Sequence, residues 1–212
     1  LTAALAKTIC GWSKKESICI GLERHGRDVF LDEIDVSNLV GWLTVYFPLL
    51  FDFNKKENIG EAIKYVKEKI RKVPNGGVGY GLLRYFNEIK KLEQRPPVIF
   101  NYLGQKSVQK NNFFGKKEAL MEGMRAAKSE RYHLLEINAF ISEGQLEVAC
   151  GYAKNIYKKE TIEKLMADYK NNLRTYIEHC AGQKSDTYTP SDFPEAELSQ
   201  DDLDSLLGSL NF

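Results

Sequence analysis

A carboxylate, an imidazole and two guanidinium groups occur within residues 23–27, early in the chain. Glu23 follows an apolar run, residues 17–22, which predicts a short strand, and Gly26 lets the backbone turn sharply behind it. Loops at the ends of strands are where a rigid scaffold commonly holds catalytic groups, so Glu23 is a candidate general acid or base. The alternative is a surface turn in which Glu23 pairs with a neighbouring arginine.

The composition is that of one globular domain, with or without an appendage. The 212 residues include 43% hydrophobic residues and carry a formal net charge of +1. Seven of the 29 acidic residues lie from Ser185 onward, where there is no Lys or Arg, which leaves 22 acidic against 30 basic residues before it, a balance of +8. This asymmetry suits an acidic protein partner and is too weak to indicate nucleic acid. No apolar run reaches the roughly 20 residues of a membrane span, so we expect no membrane partner.

The sequence predicts neither a metal site nor a nucleotide site. The four cysteines are widely separated: Cys10, Cys19, Cys150 and Cys180. They form no CxxC pair and no histidine stands at a metal-ligand spacing from them, so we expect reduced, structural thiols in a cytoplasmic protein. The glycine-rich residues 76–81 lack the Gly-Lys-Ser/Thr end of a phosphate-binding loop. We interpret them as the tightly packed connection of a helix–loop–helix.

Residue spacing predicts a mixed arrangement of helices and strands. Helices are predicted over residues 1–12, 59–73 and 161–179, with a shorter helical stretch over 82–89. Residues 40–48 are rich in β-branched and aromatic side chains and end at Pro48, which favours a buried strand, and 98–104 form another. Residues 131–141 and 145–157 alternate about a Ser-Glu-Gly turn and predict a hairpin. The fold class is therefore α/β, a mixed β-sheet flanked by helices.

The chain divides into two parts by composition. Residues 1–184 contain the predicted sheet and its helices, and residues 185–212 are acidic and begin with a Ser/Thr/Asp/Pro-rich stretch. A short amphipathic helix is predicted to open near Ser199 within the second part. We interpret residues 185–212 as an interdomain linker or a docking tail.

Four segments in a fixed order are similar to those of a known family. They are LERHGRD (22–28), VGWLTVYFP (40–48), VPNGGVGYG (73–81) and FNYLGQ (100–105). With the later LEINAF and YTPSDFPEAELSQDDLD, they resemble the C-terminal half of condensation-superfamily domains of nonribosomal peptide synthetases, and within that superfamily the epimerization type. The resemblance covers nearly the whole chain. It implies a chloramphenicol-acetyltransferase-like fold of two similar lobes, of which this chain is the second.

The sequence departs from the family pattern in a few positions and lacks one motif. Arg24 stands where the family usually has a small residue, Leu43 where it has Phe, and Val45 where it often has Ser. The His-His-x-x-x-Asp-Gly motif of the family belongs to the first lobe, and the three histidines of this chain, His25, His133 and His179, form no such pair. The resemblance therefore implies half of an active site, with the upstream lobe of the same domain as its partner, and no activity for the fragment alone.

The resemblance implies that the L-aminoacyl or peptidyl group of a thioester is converted to its D form. The thioester is carried on the phosphopantetheine of a partner peptidyl carrier protein domain, so no cofactor binds this chain directly. Glu23 is implied to be the acid/base of this lobe. Asn101 and Tyr102 are implied to line the site and to hydrogen-bond the enolate oxygen or position the thioester. For Asn101 the alternative is a buried amide satisfied by the backbone.

Further residues are candidates for binding or orienting the substrate: Arg27, Trp42 and Thr44. Arg27 could equally orient Glu23 or a neighbouring loop, and His25 is interpreted as structural. The aromatic side chains of Trp42, Tyr46, Tyr80 and Tyr85 are expected to pack in the core or along a channel.

Two other functions fit the same sequence. One is a condensation domain, which forms the peptide bond between two carrier-bound substrates and shares the fold. The other is a non-catalytic module that docks carrier domains or a neighbouring synthetase module through residues 185–212, since an acidic amphipathic helix can add to a partner's surface.

Overall fold

Five strands form one mixed sheet with helices against it. The computed structural model describes residues 1–27, 35–36, 38–53, 58–87, 89–106, 131–183 and 187–209, without the side chains of Lys90 and Lys106. The strands are β1 (Ser17–Arg24), β2 (Val45–Asp52), β3 (Val98–Lys106), β4 (Leu135–Ser142) and β5 (Gln145–Tyr152). The helices are α1 (Thr2–Ser13), α2 (Ile59–Arg71), α3 (Val78–Tyr85), α4 (Lys159–Ala181) and α5 (Gln200–Ser209).

The order of the strands in the sheet is β2-β1-β3-β4-β5. The three central strands β1, β3 and β4 run parallel, while β2 and β5 join them antiparallel at the two edges. The β4–β5 hairpin turns at Glu143 and Gly144, whose φ angles of 51° and 77° are those of a tight two-residue turn. The predicted α/β class with a mixed sheet is confirmed, and so is the predicted hairpin.

The core lies between one face of the sheet and the helices α1, α2 and α4. Alternate residues of the central strands, including Ile20, Phe100 and Ile137, are at most 5% exposed and belong to one buried cluster. Leu5 of α1 and Leu165 of α4 complete this cluster from the helical layer. Because side chains alternate along a strand, the residues between these positions point to the opposite face of the sheet.

Local sequence explains where the helices begin. Asn58 precedes α2, and its Oδ1 accepts a hydrogen bond from the Gly60 amide at 2.8 Å, which satisfies one of the free amides of the first turn. The helices predicted over residues 1–12, 59–73 and 161–179 are confirmed within about two residues at each end. None of the described helices is long and apolar enough to cross a membrane.

The strand predicted over residues 40–48 is wrong in its bounds. β2 begins only at Val45 and continues through Pro48 to Asp52, while Val40 and Trp42 are 98% and 87% exposed. Pro48 does not end the strand because β2 is an edge strand that pairs, among the described strands, with β1 only. No described strand lies on its other side to accept a hydrogen bond, so a residue without an N–H is tolerated there.

The helical stretch predicted over residues 82–89 is displaced as well. α3 begins at Val78, directly after a tight turn formed by Pro74–Gly77, in which Asn75 and Gly76 have φ angles of 48° and 58°. Gly77 has a φ of 97°, and a Cβ there would lie 2.0 Å from the Phe47 ring, so the turn packs against β2 with no room for a side chain. This contact favours the packing interpretation of the glycine-rich segment.

Residues 189–192 lie against α2. Asp192 forms ion pairs with Lys67 and Arg71 of this helix, and the Ser191 amide donates to Glu68 Oε1 at 3.0 Å. Thr189 is only 1% exposed. The predicted acidic helix is present as α5, whereas the division of the chain at residues 184 and 185 stays a prediction.

Candidate functional site

A cavity of about 720 Å³ lies against the face of the sheet that the core helices leave open. Its floor is formed by side chains of β1 to β4, and α3 and the segment just before β3 supply one wall. A cavity of this size is in the range of small-molecule and cofactor sites.

Strand register brings four side chains of the floor into one row. Glu23 of β1 pairs with Tyr46 of β2, and Asn101 of β3 pairs with Asn138 of β4. The parallel register of β1 and β3, in which Leu22 pairs with Phe100, puts Glu23 beside Asn101. Residues of one row point to the same face of a sheet, and all four line the cavity.

The Glu23 carboxylate has a direct partner in this row. Its Oε2 accepts a hydrogen bond from Asn101 Nδ2 at 2.5 Å. Burial raises the pKa of Glu23 above the ordinary value, and the nearby charge of Glu136 raises this pKa further. A carboxyl group whose pKa moves towards neutrality is suited both to take up and to return a proton.

Glu136 is the second carboxylate of the cavity. It lies on β4, paired with Ile99 of β3, and its Oε2 is 3.4 Å from Nη1 of Arg131. Arg131 therefore compensates part of the Glu136 charge while Glu136 still faces Glu23 across the floor.

The turn that follows Glu23 is fixed by contacts with the segment before β2. Gly26 has a φ of 69°, and a Cβ at this position would lie 1.9 Å from the carbonyl oxygen of Leu43. The Arg27 guanidinium donates to the carbonyl oxygens of Val36, Leu39 and Gly41 at 2.7, 3.0 and 3.5 Å. Arg27 thus holds the backbone that leads to Trp42 and Thr44, which agrees with the loop-orienting role considered for it.

The structure brings together four of the six residues that the sequence predicts for the site. Glu23, Asn101, Trp42 and Thr44 line the cavity. Arg27 lies outside it, and Tyr102 does not line it either, because alternation along β3 turns this side chain to the other face, where it is 45% exposed. The individual roles assigned to these residues stay predictions.

Other lining residues were not predicted for the site: Arg84, Arg95, Tyr132, His133, Glu136 and Asn138. For Glu136 and Asn138 a signal existed, since they alternate with buried Leu135, Ile137 and Ala139. Polar residues at every second position of an apolar strand indicate a face that is not part of the core. Arg84 and Arg95 have no such signal, because the fold brings them to the cavity from separate segments. Of the aromatic residues expected in the core or a channel, Tyr46, Tyr80 and Tyr85 also line the cavity.

Comparison with known proteins identifies the family and the fold of the chain. The family model described as Condensation domain matches residues 1–199. The chain belongs to the condensation-domain family. Among curated relatives of this condensation-domain chain, one of the linear gramicidin synthase proteins of Brevibacillus parabrevis is 39% identical over 98% of the chain and 3% of its own length. Surfactin synthase subunit 2 of Bacillus subtilis (strain 168) is 34% identical over 99% of the chain and 6% of its own length. The condensation-domain chain thus spans a small part of these synthases.

Solved structures of condensation and epimerization domains are also similar to the chain. The epimerization domain from the third module of tyrocidine synthetase B is 34% identical, with a TM-score of 0.74, over 84% of the condensation-domain chain and 41% of the solved one. The first condensation domain of the CDA synthetase is 15% identical, with a TM-score of 0.55, over 79% of the chain and 36% of the solved one. The second likeness shows a shared fold alone. The predicted resemblance and the predicted lobe fold are both confirmed.

Within the part of the chain that the structure describes, no group of three or more His, Cys, Asp and Glu side chains could hold a metal ion. The polar groups that line the cavity of this condensation-domain chain are carboxylates, amides, guanidinium groups, hydroxyls and an imidazole.

Proposed function

We propose that the chain supplies one lobe of an epimerization domain, which inverts the α-carbon of an L-aminoacyl or peptidyl thioester held by a carrier protein domain. The environment of the Glu23 carboxylate carries this proposal. The carboxylate lines the cavity and accepts a hydrogen bond from Asn101, and burial raises its pKa. The 34% identity with the solved epimerization domain of tyrocidine synthetase B supports the same choice.

The proposed reaction begins with removal of the α-proton. Glu23 takes this proton, the Cα–H bonding pair moves into the Cα–C bond, and the thioester carbonyl oxygen becomes an enolate oxygen. A carboxylate positioned in this way typically contributes about 10²- to 10⁴-fold to the rate. Asn101 keeps Glu23 oriented through one hydrogen of its amide, and the other hydrogen is available to the enolate oxygen.

Inversion then needs a proton from the opposite face of the planar enolate. A second acid must supply it, and we assign this acid to the upstream lobe, which the chain itself does not include. The proton held by Glu23 returns to solvent, so the balance is one proton removed and one added. The reaction needs no oxidant and no metal in this scheme.

The partners proposed with this function are a peptidyl carrier protein domain and the upstream lobe of the same domain. The balance of +8 before Ser185 suits a carrier domain, because carrier proteins are typically acidic. The phosphopantetheine arm belongs to the carrier. Residues 185–212 are proposed as a linker or a contact with a neighbouring synthetase module.

A condensation domain is the second candidate, because the family model that matches residues 1–199 is described as Condensation domain. In that case the chain would take part in joining two carrier-bound substrates by an amide bond. Glu23 would then orient the attacking amine rather than abstract an α-proton.

One experiment distinguishes the two functions. The complete domain that contains this chain is incubated in deuterated water with a carrier loaded with an L-aminoacyl thioester, and deuterium at Cα and the D/L ratio are followed. An epimerase incorporates deuterium and yields D-product without a second carrier. Absence of deuterium together with amide formation, once an acceptor carrier is added, would support condensation. Absence of both from a folded domain would contradict the two enzymatic functions.

A further inference from the structure

The lining of the cavity contains two chemically different groups of side chains. Glu23 and Asn101 form one group, and the nearby charge that acts on Glu23 is that of Glu136. Arg84 and Arg95 form the other, and both of their charges act on the Tyr46 hydroxyl and lower its pKa against the larger, opposite effect of burial. A group bound in the cavity therefore meets a proton acceptor and two cations.

Arg84 is held in place from several sides. It projects from α3, where its Nη1 donates to the Tyr80 hydroxyl at 3.1 Å and its Nη2 to the Glu93 carbonyl oxygen at 3.3 Å. Its guanidinium also lies over the Tyr80 and Tyr85 rings, with centroid distances of 5.9 and 5.3 Å. Because a guanidinium has five N–H donors, donors remain for a ligand after these two bonds are made.

Arg95 is held mainly by stacking. Its guanidinium carbon is 3.6 Å from the centroid of the Tyr132 ring, so the charged plane rests on the aromatic face. Stacking fixes the plane of the group and leaves its N–H edge available for hydrogen bonds.

Both guanidinium groups are half-buried and lack an acidic partner within the described ranges. No described carboxylate lies within 4.0 Å of Arg84 or Arg95, whereas Arg131 is paired with Glu136. A partly desolvated cation without a counter-charge is unfavourable, and a bound anion removes this cost. The planar fork of arginine fits carboxylate and phosphate groups.

The distance of each anion from the reacting carbon separates these two groups. The carboxylate of a glutamyl side chain lies within roughly 5 Å of its own α-carbon. The chain of bonds from the phosphate to the sulfur of a phosphopantetheine arm reaches roughly 15 Å when extended. With the α-carbon at Glu23, a carboxylate on the acyl side chain stays near residues that line the same cavity, whereas the phosphate of an extended arm lies much farther away.

We propose that Arg84 and Arg95 form a specificity pocket for an acidic acyl side chain, of the aspartyl or glutamyl class, on the carrier-bound substrate. This inference rests on the proposed epimerization and names the substrate class of the same site. The pair selects the charged side chain because a neutral amide of the same shape brings no negative charge to the two cations.

The test compares two substrates that differ only in this charge. The complete domain receives carriers loaded with L-glutamyl or L-glutaminyl thioester in deuterated water, and uptake of deuterium at Cα is measured. We expect the glutamyl substrate to react about 10- to 100-fold faster, as a hydrogen-bonded charge contact allows. Arg95→Gln and Arg84→Gln should remove this preference by slowing only the glutamyl reaction, and Arg95→Lys should retain part of it. Arg174→Gln, an exposed position of α4, serves as the matched control.

Three outcomes would overturn the inference. Equal rates for both substrates in the wild type would leave the proposed epimerization intact and remove the acidic pocket. If the variants slow both substrates equally on the carrier but not on pantetheine without its phosphate, the arginines bind the arm's phosphate instead. If no substrate exchanges, the proposed function fails, and binding of N-acetyl-L-glutamate against N-acetyl-L-glutamine still decides the pocket: equal affinity would overturn it, and a preference lost in Arg95→Gln would support it.

Discussion

The Asn101 amide nitrogen lies 2.5 Å from Glu23 Oε2, so a residue of β3 directly holds the carboxylate at the end of β1. The same carboxylate faces the charge of Glu136 from β4. These two neighbours act on Glu23 in opposite directions, because a hydrogen-bond donor favours the charged carboxylate and a second carboxylate disfavours it. Burial raises the pKa of Glu23 most, and the neighbours from β3 and β4 act on it in addition.

We expect opposite pH shifts from the two neighbours of Glu23. Asn101→Leu removes the donor and should move the acid limb of the rate profile to higher pH. Glu136→Gln removes the like charge and should move the acid limb to lower pH. Deuterium uptake by the complete domain as a function of pH measures both shifts. Glu147→Gln, an exposed position of β5, should leave the profile unchanged. Shifts of Asn101→Leu and Glu136→Gln in the same direction would contradict this account.

Glu23→Gln should stabilise the protein at neutral pH. The pKa of Glu23 is raised by burial, with a further contribution from Glu136, above the ordinary value of 4.5, so the folded state binds this proton more tightly than the unfolded state. The carboxylate therefore reduces stability as pH rises above 4.5 and has no effect at lower pH, where both states are protonated. Denaturant unfolding of wild type and variant should show a difference at pH 7 that disappears near pH 4. A variant that is less stable at pH 7 would contradict the prediction.

Gly26→Ala should destabilise the turn behind Glu23. The φ of 69° is unfavourable for alanine, and its Cβ would meet the Leu43 carbonyl oxygen, so we expect a loss of about 1–3 kcal/mol in the free energy of unfolding. Gly11→Ala is the matched control, because a Cβ at this α1 glycine would have no atom within 4 Å and alanine favours helix. Equal stability of the two variants would show that the turn tolerates a side chain.

Asp192→Asn should release residues 189–192 from α2. Hydrogen bonds from Lys67, the Thr189 amide and Arg71 hold the pKa of Asp192 below its ordinary value of 3.8, so its contribution is present above that pH and is lost as the pH falls below it. Hydrogen exchange at the Thr189 and Ser191 amides, which donate to Asp192 and Glu68, reports the release. We expect faster exchange in the variant at neutral pH, and in the wild type at high salt. Unchanged exchange in Asp192→Asn would show that other contacts hold the segment.

Much of the fold could be predicted because its signals are local. The Asn58 cap, the helical spacing of α1 and α4, and the Ser-Glu-Gly turn of the hairpin each depend on residues close in sequence. The strand predicted over residues 40–48 was wrong for the opposite reason. Composition cannot distinguish exposed apolar residues such as Val40 from buried ones, and Pro48 is tolerated only because β2 forms the edge of the sheet.

The same contrast between local sequence signals and tertiary structure applies to the candidate site. Glu23 could be predicted because it follows an apolar run, residues 17–22, and precedes a glycine turn, both visible in a few residues. Its partnership with Asn101 and Glu136 depends on the order β1-β3-β4 in the sheet, which the sequence pattern does not determine. The positions of Arg84 and Arg95 depend on how α3 and the segment before β3 pack over the open face, which is a property of the tertiary structure.

The most direct test of the central claim compares Glu23→Gln with the wild type in the α-deuterium exchange of a carrier-bound L-aminoacyl thioester. The variant keeps an acceptor for Asn101 and loses only the base, and Glu178→Gln on the exposed side of α4 controls for the loss of a carboxylate. We predict that Glu23→Gln lowers the exchange rate by about 10²- to 10⁴-fold while the domain stays folded and binds its carrier, and that Glu178→Gln does not. Exchange at the wild-type rate in Glu23→Gln would show that Glu23 is not the base.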